Sequence, residues 1–575
     1  YKLFQDGKTE AVFQFESRGM QGMLKEAKPT RLEDLIALNA LYRPGPMDLI
    51  PSFVARKHGK EVVEYPHPMV EKVLAETYGI MVYQEQVMQT AQVLGGYSLG
   101  GADLLRRAMG KKKVEEMAKH RMIFREGAAK NGLNETKADE VFDLMEKFAG
   151  YGCNKSHAAS YSLLAYHTGW LKVHYTAEFF CGNMTVEMDN TDKLKVLYED
   201  ALRMGLTFEM PDVNRGRHRF EPVTDKVIRY GLGAIKGTGQ AAIEAIVAAR
   251  EGVGTGPQGD TKGPFKSLFD FCLRVDRSKL NKRTVEALIK GGAFDNINLN
   301  RRALLDSVGV AFEFASTTHA NANHGGLFDL MGDDAVGSST QEPELADVLP
   351  WGVKERLVLE KTAIGFYLSG HLFDEVEKEV RQFVRTPIDS LRDSRETQTL
   401  SGIISELRVI NGQRGKLVLF KLDDKSTVIE ASLDEATWSR HKDMLKDDEF
   451  IVASARVGLD RFSGGMRAKV QHVWSLADAR ARFGRYLLVN TDRHQPNVAR
   501  LLQEFPAIAQ QTDEGVVRHG LKVRLGVVCT DGQQKAAVEL NLGDAARFFP
   551  SDQAMAAWSQ EAGHEAVKIV YESAL

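Results

Sequence analysis

The sequence predicts a multidomain α+β protein, mostly helical at first, then a β-barrel and a small α/β domain at the C-terminal end. Three observations carry this. The chain has 575 residues, and at about 150 residues per domain three to five domains are expected. Apolar residues recur at helical period through the first half. Between residues 398 and 475 they alternate at strand period, with turns between the runs. Apolar residues make up 43% and charged residues 27%, which excludes a fibrous or disordered chain. The net charge of −3 hides basic stretches, so overall charge does not identify a partner.

Four cysteines, Cys153, Cys181, Cys272 and Cys529, lie far apart with no CxxC spacing. That excludes a disulfide framework and fits a reducing compartment. No apolar run approaches the roughly 20 residues needed to span a bilayer, and no signal peptide is present, so no membrane partner is expected. The chain opens on Tyr1 inside an amphipathic pattern, and a fragment lacking its N-terminal portion is expected.

In chain order, helix-period residues run from Ala11 to Leu24 and from Leu32 to Leu41, with Thr30 and Glu33 at capping-box spacing for the second. Arg43-Pro44-Gly45-Pro46 then enforces a rigid loop presenting Arg43. Ile80 to Tyr83 reads as a short strand or buried turn and Gln84 to Leu94 as a helix. Residues 98–125 follow, SLGGADLLRRAMGKKKVEEMAKHRMIFR. Arg106 and Arg107 point about 100° apart on a helix, yet one ligand at its flank can meet both. With Lys111 and Lys112 they suit a triphosphate or a nucleic-acid backbone. The competing reading is a solvated basic face with Asp103–Arg107 as an i,i+4 pair.

A helix from Lys137 to Phe148 breaks at Gly150-Tyr151-Gly152. Asn154-Lys155-Ser156-His157 precedes a helix from Ala158 to Tyr175, with Ser156 as a possible N-cap. Asn, Lys, Ser and His at a helix N-terminus suit phosphate and sugar hydroxyls. Tyr161, Tyr166, Trp170 and Tyr175 at helical spacing are expected in the core.

AVFQFESRGM, ALYRPGPM, YGIMVYQEQVMQTAQVLGGYSLGGADLLRRAMGKKK and EKFAGYGCNKSHAASYSLLAYHTGWLKVHY, in this order, resemble the fingers of the family C replicative DNA polymerases of bacteria, the polymerase III alpha subunits. The resemblance implies that the fingers deliver the incoming nucleotide, with Arg106 and Arg107 on its triphosphate and His157 near its sugar. Lys111, Lys155 and Arg43 are further candidates for that pocket, and Lys112 for DNA phosphates. Cys153 departs from the aromatic usual before NKSH.

Past residue 210, a short strand (Val227 to Tyr230) leads into Gly231-x-Gly233-Ala234-Ile235-Lys236-Gly237-Thr238-Gly239 and an Ala-rich helix. This resembles a helix-hairpin-helix, which holds duplex backbone through Gly233, Lys236, Gly237 and Gly239 without reading sequence. A glycine-rich packing turn is the alternative. Residues 251–264 read as a disordered insertion, and a polar low-complexity stretch runs from about Ser316 to Glu344. Within it, His324-Gly-Gly-Leu327-Phe328 has the form of an apolar anchor for a partner's groove. The family resemblance implies that Leu327 and Phe328 bind the sliding clamp, with His324 in place of the usual Gln.

Five strands between 398 and 475, with a helix at about Asp434 to Leu445, predict an OB-fold for single-stranded nucleic acid. Arg408, Arg414, Lys416, Arg461 and Arg467 can track a backbone, and Phe420, Phe462 and Trp474 offer a modest stacking surface. A protein-interaction role is the alternative. Residues 485–575 read as a small α/β domain, which by the resemblance binds the clamp-loader tau subunit.

The expected domains are therefore 1–220 (fingers), 221–385 (clamp-binding region with helix-hairpin-helix), 396–480 (OB-fold) and 485–575 (tau-binding). Nucleotidyl transfer needs two metals about 3.5–4 Å apart on carboxylates, and no such constellation is evident. Asp189/Asp192, Asp333/Asp334 and Asp423/Asp424 lie in polar stretches or turns, where solvation explains them. The resemblance places the Mg2+ ligands in a palm outside this chain and implies primer-template DNA, dNTP and the proofreading exonuclease subunit as further partners, in the cytoplasm. The expected function is part of a DNA-directed DNA polymerase, adding dNTPs to a primer 3′ end. The chain alone is expected to be inactive. The second reading is a non-catalytic scaffold joining DNA to a sliding clamp.

Overall fold

The computed structural model describes residues 1–571 apart from 112–113, 255–257, 259, 329–340, 413–414, 461–464, 492–494 and 513–514. Two compact units are present, Tyr1–Pro350 with Glu360–Phe366, and Trp351–Leu359 with Tyr367–Leu575.

The first unit is helical. One core gathers Phe4, Phe15, Leu24, Leu35, Leu38, Phe53, Tyr83 and Ala165, and a second gathers Val87, Leu94, Leu105, Met109, Phe124, Phe142 and Met145. The first helix with a full apolar face is Arg18–Ala27, not Ala11–Leu24. Ala11 and Gln14 adopt left-handed φ of 59° and 69°. Thr9 Oγ1 donates to Phe15 O (2.6 Å) and Ala11 N to the Glu16 carboxylate (3.2 Å), which fixes a turn where periodicity implied a helix. Helix Leu32–Leu41 forms as expected, but Arg31 stands at its N-cap. Thr30 instead donates its N–H and hydroxyl to the buried Asp34 (3.0 and 3.3 Å).

Three short strands, β1 (Thr207–Glu209), β2 (Glu221–Pro222) and β3 (Val227–Arg229), make a small sheet in the order β1-β3-β2. It leads into helix Gln240–Glu251. The polar stretch after Ser316 is not a linker from its start, because helix Val308–Phe328 runs through it. Phe314 meets Phe269 edge-on at 5.8 Å, and His319 Nε2 donates to Leu273 O (2.9 Å), docking the helix on Leu268–Arg274.

In the second unit, β4 (Thr397–Gly412), β5 (Gly415–Asp423), β6 (Val428–Asp434), β7 (Phe450–Leu459) and β8 (Met466–Trp474) close a barrel in the order β4-β5-β6-β8-β7. Alternate residues such as Leu400, Ile404, Val418, Leu433 and Val470 fill it. Helix Glu435–His441 sits between β6 and β7, capped by Asp434. Phe420 is 3% exposed and belongs to this interior, so it offers no stacking face. Asp424 is not a solvated turn residue. It is 1% exposed and accepts from Ser426 Oγ (2.5 Å), Arg381 Nη2 (2.7 Å) and Ile388 N (2.9 Å), which, Ser426 foremost, hold its carboxyl below the usual range against the cost of burial. Asp333, Asp334, Arg461 and Phe462 lie outside the described residues.

Beyond the barrel, β9 (Gly484–Asn490), β10 (Ile508–Thr512), β11 (Gly515–His519), β12 (Leu521–Asp531), β13 (Gln534–Asn541), β14 (Arg547–Phe548) and β15 (Val567–Tyr571) follow. β13, β12, β9 and β15 lie side by side, with β9 and β12 parallel. Helices Val498–Glu504 and Asp552–Ala562 cover this sheet over Trp558 and Phe548. Among the described residues no helix is long and apolar enough to cross a membrane.

Candidate nucleotide and DNA interface

Arg106, Arg43 and the loop before His157 are joined where the two helical cores adjoin. Tyr83 belongs to one core and Val87 to the other, and Gln84 lies between them as the first residue of helix Gln84–Gly95. Tyr83 and Cys153 form an isolated parallel bridge, with Gln84 N donating to Cys153 O (2.9 Å) and Cys153 N to Val82 O (3.2 Å). That bridge brings the loop before His157 beside the start of the Gln84 helix. Gln84 Nε2 donates to Gly152 O (3.0 Å), and its Oε1 accepts from Arg106 Nη1 (3.3 Å). Gln84 therefore links the arginine helix, Leu99–Lys111, to the NKSH loop.

Arg106 also donates through Nε and Nη2 to Asp103 Oδ1 (3.1 and 2.8 Å), and Arg107 reaches Asp103 Oδ2 (2.9 Å). The hydrogen bond from Arg106, more than any other contact, holds the Asp103 carboxyl below its usual range. One carboxylate thus orients both guanidiniums. Arg106 is the more enclosed, its side chain 23% exposed against 62% for Arg107. The helix beneath them is anchored by Leu105, Ala108 and Met109, whereas Leu104 faces solvent. Lys111 is exposed, and Lys112 lies outside the described residues.

The cap of helix Lys155–His174 is Asn154, not Ser156, with Asn154 Oδ1 accepting from His157 N (2.9 Å). His157 is exposed, its ring edge-on to Tyr161 at 4.7 Å, and Tyr161 meets Phe13 at 5.5 Å. Lys155 Nζ bonds Glu76 (2.5 Å) and lies 5.4 Å from the centre of the Tyr83 ring. Arg43 donates Nε to Ala40 O (3.0 Å) and Nη2 to Tyr151 O (2.8 Å), stitching the Pro44–Pro46 loop to the glycine turn. Cys153 is buried, which pushes its thiol up and leaves no stacking surface there. Trp170 and Tyr175 are 45% and 52% exposed rather than core, because helix Lys155–His174 buries its opposite face.

Sequence reasoning missed Gln84 and Glu76 as organisers, and it paired Asp103 with Arg107, as the structure does, but not with Arg106. Gln84 and Glu76 act on partners far along the chain, and the only local signal is the polar pair of YQEQ after an apolar run.

In the hairpin before helix Gln240–Glu251, Gly233 N donates to His218 O (2.9 Å), and a Cβ there would come within 2.6 Å of the His218 ring. Gly233 is therefore a packing glycine. Thr238 Oγ1 donates to Leu232 O and Ile235 O (2.9 and 2.6 Å), fixing the turn. Gly237, at φ +84°, and Gly239, the helix N-cap, are exposed beside the exposed Lys236. Lys416 and Arg408 are exposed on the barrel, and Arg467 is paired with Glu430 and Asp460. Arg414 lies outside the described residues, as do the side chains of His324, Leu327 and Phe328. Among the described residues no group of three or more His, Cys, Asp or Glu is arranged to hold a metal ion.

The family model described as bacterial DNA polymerase III alpha subunit finger domain matches residues 1–132, and a helix-hairpin-helix model matches residues 205–304. The chain is 51% identical over 490 residues to DNA polymerase III subunit alpha of Neisseria meningitidis serogroup B. The chain matches the C-terminal part of the bacterial DNA polymerase III alpha subunit. That Neisseria alignment covers 85% of this chain and 41% of the relative. The alpha subunit of Vibrio cholerae is 41% identical over 581 residues, covering 99% of this chain and 48% of that protein. The alpha subunit of Escherichia coli K12 is 43% identical over 507 residues, covering 86% and 43%. The chain thus spans about half the length of the curated relatives it matches. The finger model includes Arg43, Arg106, Arg107 and Lys111, while Lys155 and His157 lie beyond it and are tied to it by the Gln84 contacts. The helix-hairpin-helix model includes Lys236, Gly237 and Gly239.

Proposed function

We propose that this chain is the nucleotide- and DNA-gripping part of a DNA-directed DNA polymerase that adds dNTPs to a primer 3′ end. The observation that carries the proposal is the Asp103–Arg106–Gln84–Gly152 chain of hydrogen bonds. It aims an oriented arginine pair and the capped start of the His157 helix at one region of the surface, within a sequence matched by alpha subunits. Arg106 and Arg107 take the triphosphate and His157 the sugar, with Lys111, Lys155 and Arg43 around them. Asp103 keeps both guanidiniums in place before a nucleotide arrives, which lowers the ordering cost of binding.

Lys236, Gly237 and Gly239 hold duplex phosphates, with Gly233 packing the hairpin. The closed five-stranded barrel, with its helix between the third and fourth strands, supports an OB-fold, and Arg408, Arg414 and Lys416 are assigned to single-stranded DNA. His324, Leu327 and Phe328 are assigned to the sliding clamp and the last sheet to tau. The proofreading exonuclease and a cytoplasmic location follow from the same reading. The Mg2+ ligands are assigned, by the family reading, to a palm outside this chain, and the bond-making step is not assigned to this chain.

The test is primer extension by the full-length alpha subunit carrying Arg106→Ala or Arg107→Ala. Each variant removes a charge-assisted contact of roughly 1.5–3 kcal/mol, so the dNTP KM should rise by about ten- to a hundredfold while the Kd for primed DNA holds. An unchanged dNTP KM would sink the assignment.

A further inference from the structure

A cavity of about 510 Å³ opens in the second unit between residues 382–385, the start of β9, and strands β12 and β13. Five cations line it, Arg385, Arg482, Arg485, Lys522 and Arg524, and no carboxylate does. Such a concentration of one sign is costly unless an anion answers it. Lys522 and Arg524 pair with Asp544 (2.6 Å) and Glu539 (3.4 Å), whose side chains are 76% and 47% exposed, partners that a ligand readily replaces. Arg482 and Arg485 have no carboxylate partner among the described residues, and both are exposed.

The walls are aromatic as well as basic. Phe383 and Phe483 stack face to face at 5.3 Å and 11°. Arg524 covers one face of Tyr486 at 3.9 Å, and Arg482 lies 5.8 Å from the Phe483 ring. Behind them the enclosed Arg480 grips Glu379 through Nε and Nη2 (2.8 and 2.9 Å) and Asp552 through Nη1 (2.6 Å), so the cavity exists before any ligand enters. The sequence signature is the basic and aromatic interleaving of Arg480-Ala-Arg482-Phe483-Gly484-Arg485-Tyr486.

We propose that this cavity binds single-stranded nucleic acid, with phosphates on Arg482 and Arg485 and a base against the Phe483–Tyr486 edge. Aromatic surface beside unpaired arginines favours a ligand that is both polyanionic and planar, which an acidic peptide is not. A cavity of this size admits nucleotide-sized groups and excludes a duplex. Arg408, Lys416 and Arg467 of the barrel do not line it. The choice of DNA as the nucleic acid rests on the polymerase reading.

The experiment titrates full-length protein with fluorescein-labelled oligo-dT and with a labelled duplex at several salt concentrations. Arg482→Ala with Arg485→Ala should weaken oligo-dT binding about tenfold or more and flatten the log–log salt slope by about 1.4, at roughly 0.7 per lost phosphate contact. Duplex affinity should hold. A folded double variant with unchanged oligo-dT affinity and slope would overturn the proposal. So would polyglutamate binding that is lost in the double variant while oligo-dT binding persists, since that would make the ligand an acidic peptide. A second readout needs no variant. Oligonucleotides carrying 5-iodouracil should cross-link wild-type protein at Phe483 or Tyr486, and cross-links confined to the barrel or hairpin would contradict the site. Failure of the polymerase reading would appear instead as a dNTP KM indifferent to Arg106→Ala, which these titrations do not touch.

Discussion

Arg43, Arg106, Arg107 and Lys155 of the first unit differ from Arg482 and Arg485 at the C-terminal cavity in having carboxylate or carbonyl partners, which those two lack among the described residues. Arg106 and Arg107 share Asp103, Lys155 holds Glu76, and Arg43 donates to two carbonyls. Deeper still, the fully buried Lys172 donates to Lys8 O, Glu10 O and Asp200 (2.9, 2.8 and 2.7 Å). Among the described residues Arg482 and Arg485 have no such carboxylate. The contrast separates two ways of meeting phosphate. Compensated cations hold a fixed geometry and recognise shape. Uncompensated ones create a field, bind by counterion release and depend steeply on salt.

The largest expected effect comes from removing compensation where it is most needed. Asp200→Ala leaves the Lys172 ammonium buried beside two carbonyls, at a cost of about 3–5 kcal/mol. Urea unfolding of the variant should show that loss, and a drop below about 1 kcal/mol would mean that the carbonyls alone satisfy the lysine. A smaller effect follows from Asn154→Ala, which strips the cap that positions His157. About 1 kcal/mol of stability should go, and amide exchange should quicken over the first turn of helix Lys155–His174 and not at the barrel.

The smallest is a pH effect in the second unit, where burial and neighbouring cations outweigh the attraction of Asp478 at one imidazole. His441 is 8% exposed, its ring 4.8 Å from that of His472, and its Nε2 has no hydrogen-bond partner. Burial foremost, then His472 and Arg440, push its pKa down. With the folded pKa below the unfolded value of about 6.5, the unfolded chain binds more protons in that interval. The stability contribution is therefore intact above about pH 6.5 and is lost as pH falls toward the folded pKa. Urea midpoints between pH 7.5 and 5.5 should fall, with a shallower fall for His441→Gln. An identical slope in the variant would assign the effect elsewhere.

What the sequence made legible follows from range. The barrel strands show in their alternation, and the arginine helix in its 3.6-residue period, because both patterns are local. Turns held by side chains were not legible. Ala11 and Gln14 lie in an apolar helical pattern, yet Thr9 and Glu16 bend the chain there. Helix Val308–Phe328 turns polar from Ser316 onward, and its contacts with another helix include Phe314 against Phe269 and His319 on the Leu273 carbonyl. At the candidate site the cations were visible as a cluster, but Gln84, which joins them, meets Gly152 across 68 positions of sequence. Arg482 and Arg485 are ordinary surface arginines until β9 and β12 pair and place Lys522 and Arg524 beside them.

The central claim is that the Asp103-held arginine pair reads phosphates and not the rest of the nucleotide. The most direct measurement is the affinity of dATP, dADP, dAMP and deoxyadenosine for full-length protein on primed DNA, with and without Arg106→Ala. The account predicts a variant that loses about tenfold or more for dATP, from the roughly 1.5–3 kcal/mol of one charge-assisted contact, and progressively less down the series, with deoxyadenosine unaffected. Equal losses for all four, or none for dATP, would contradict it.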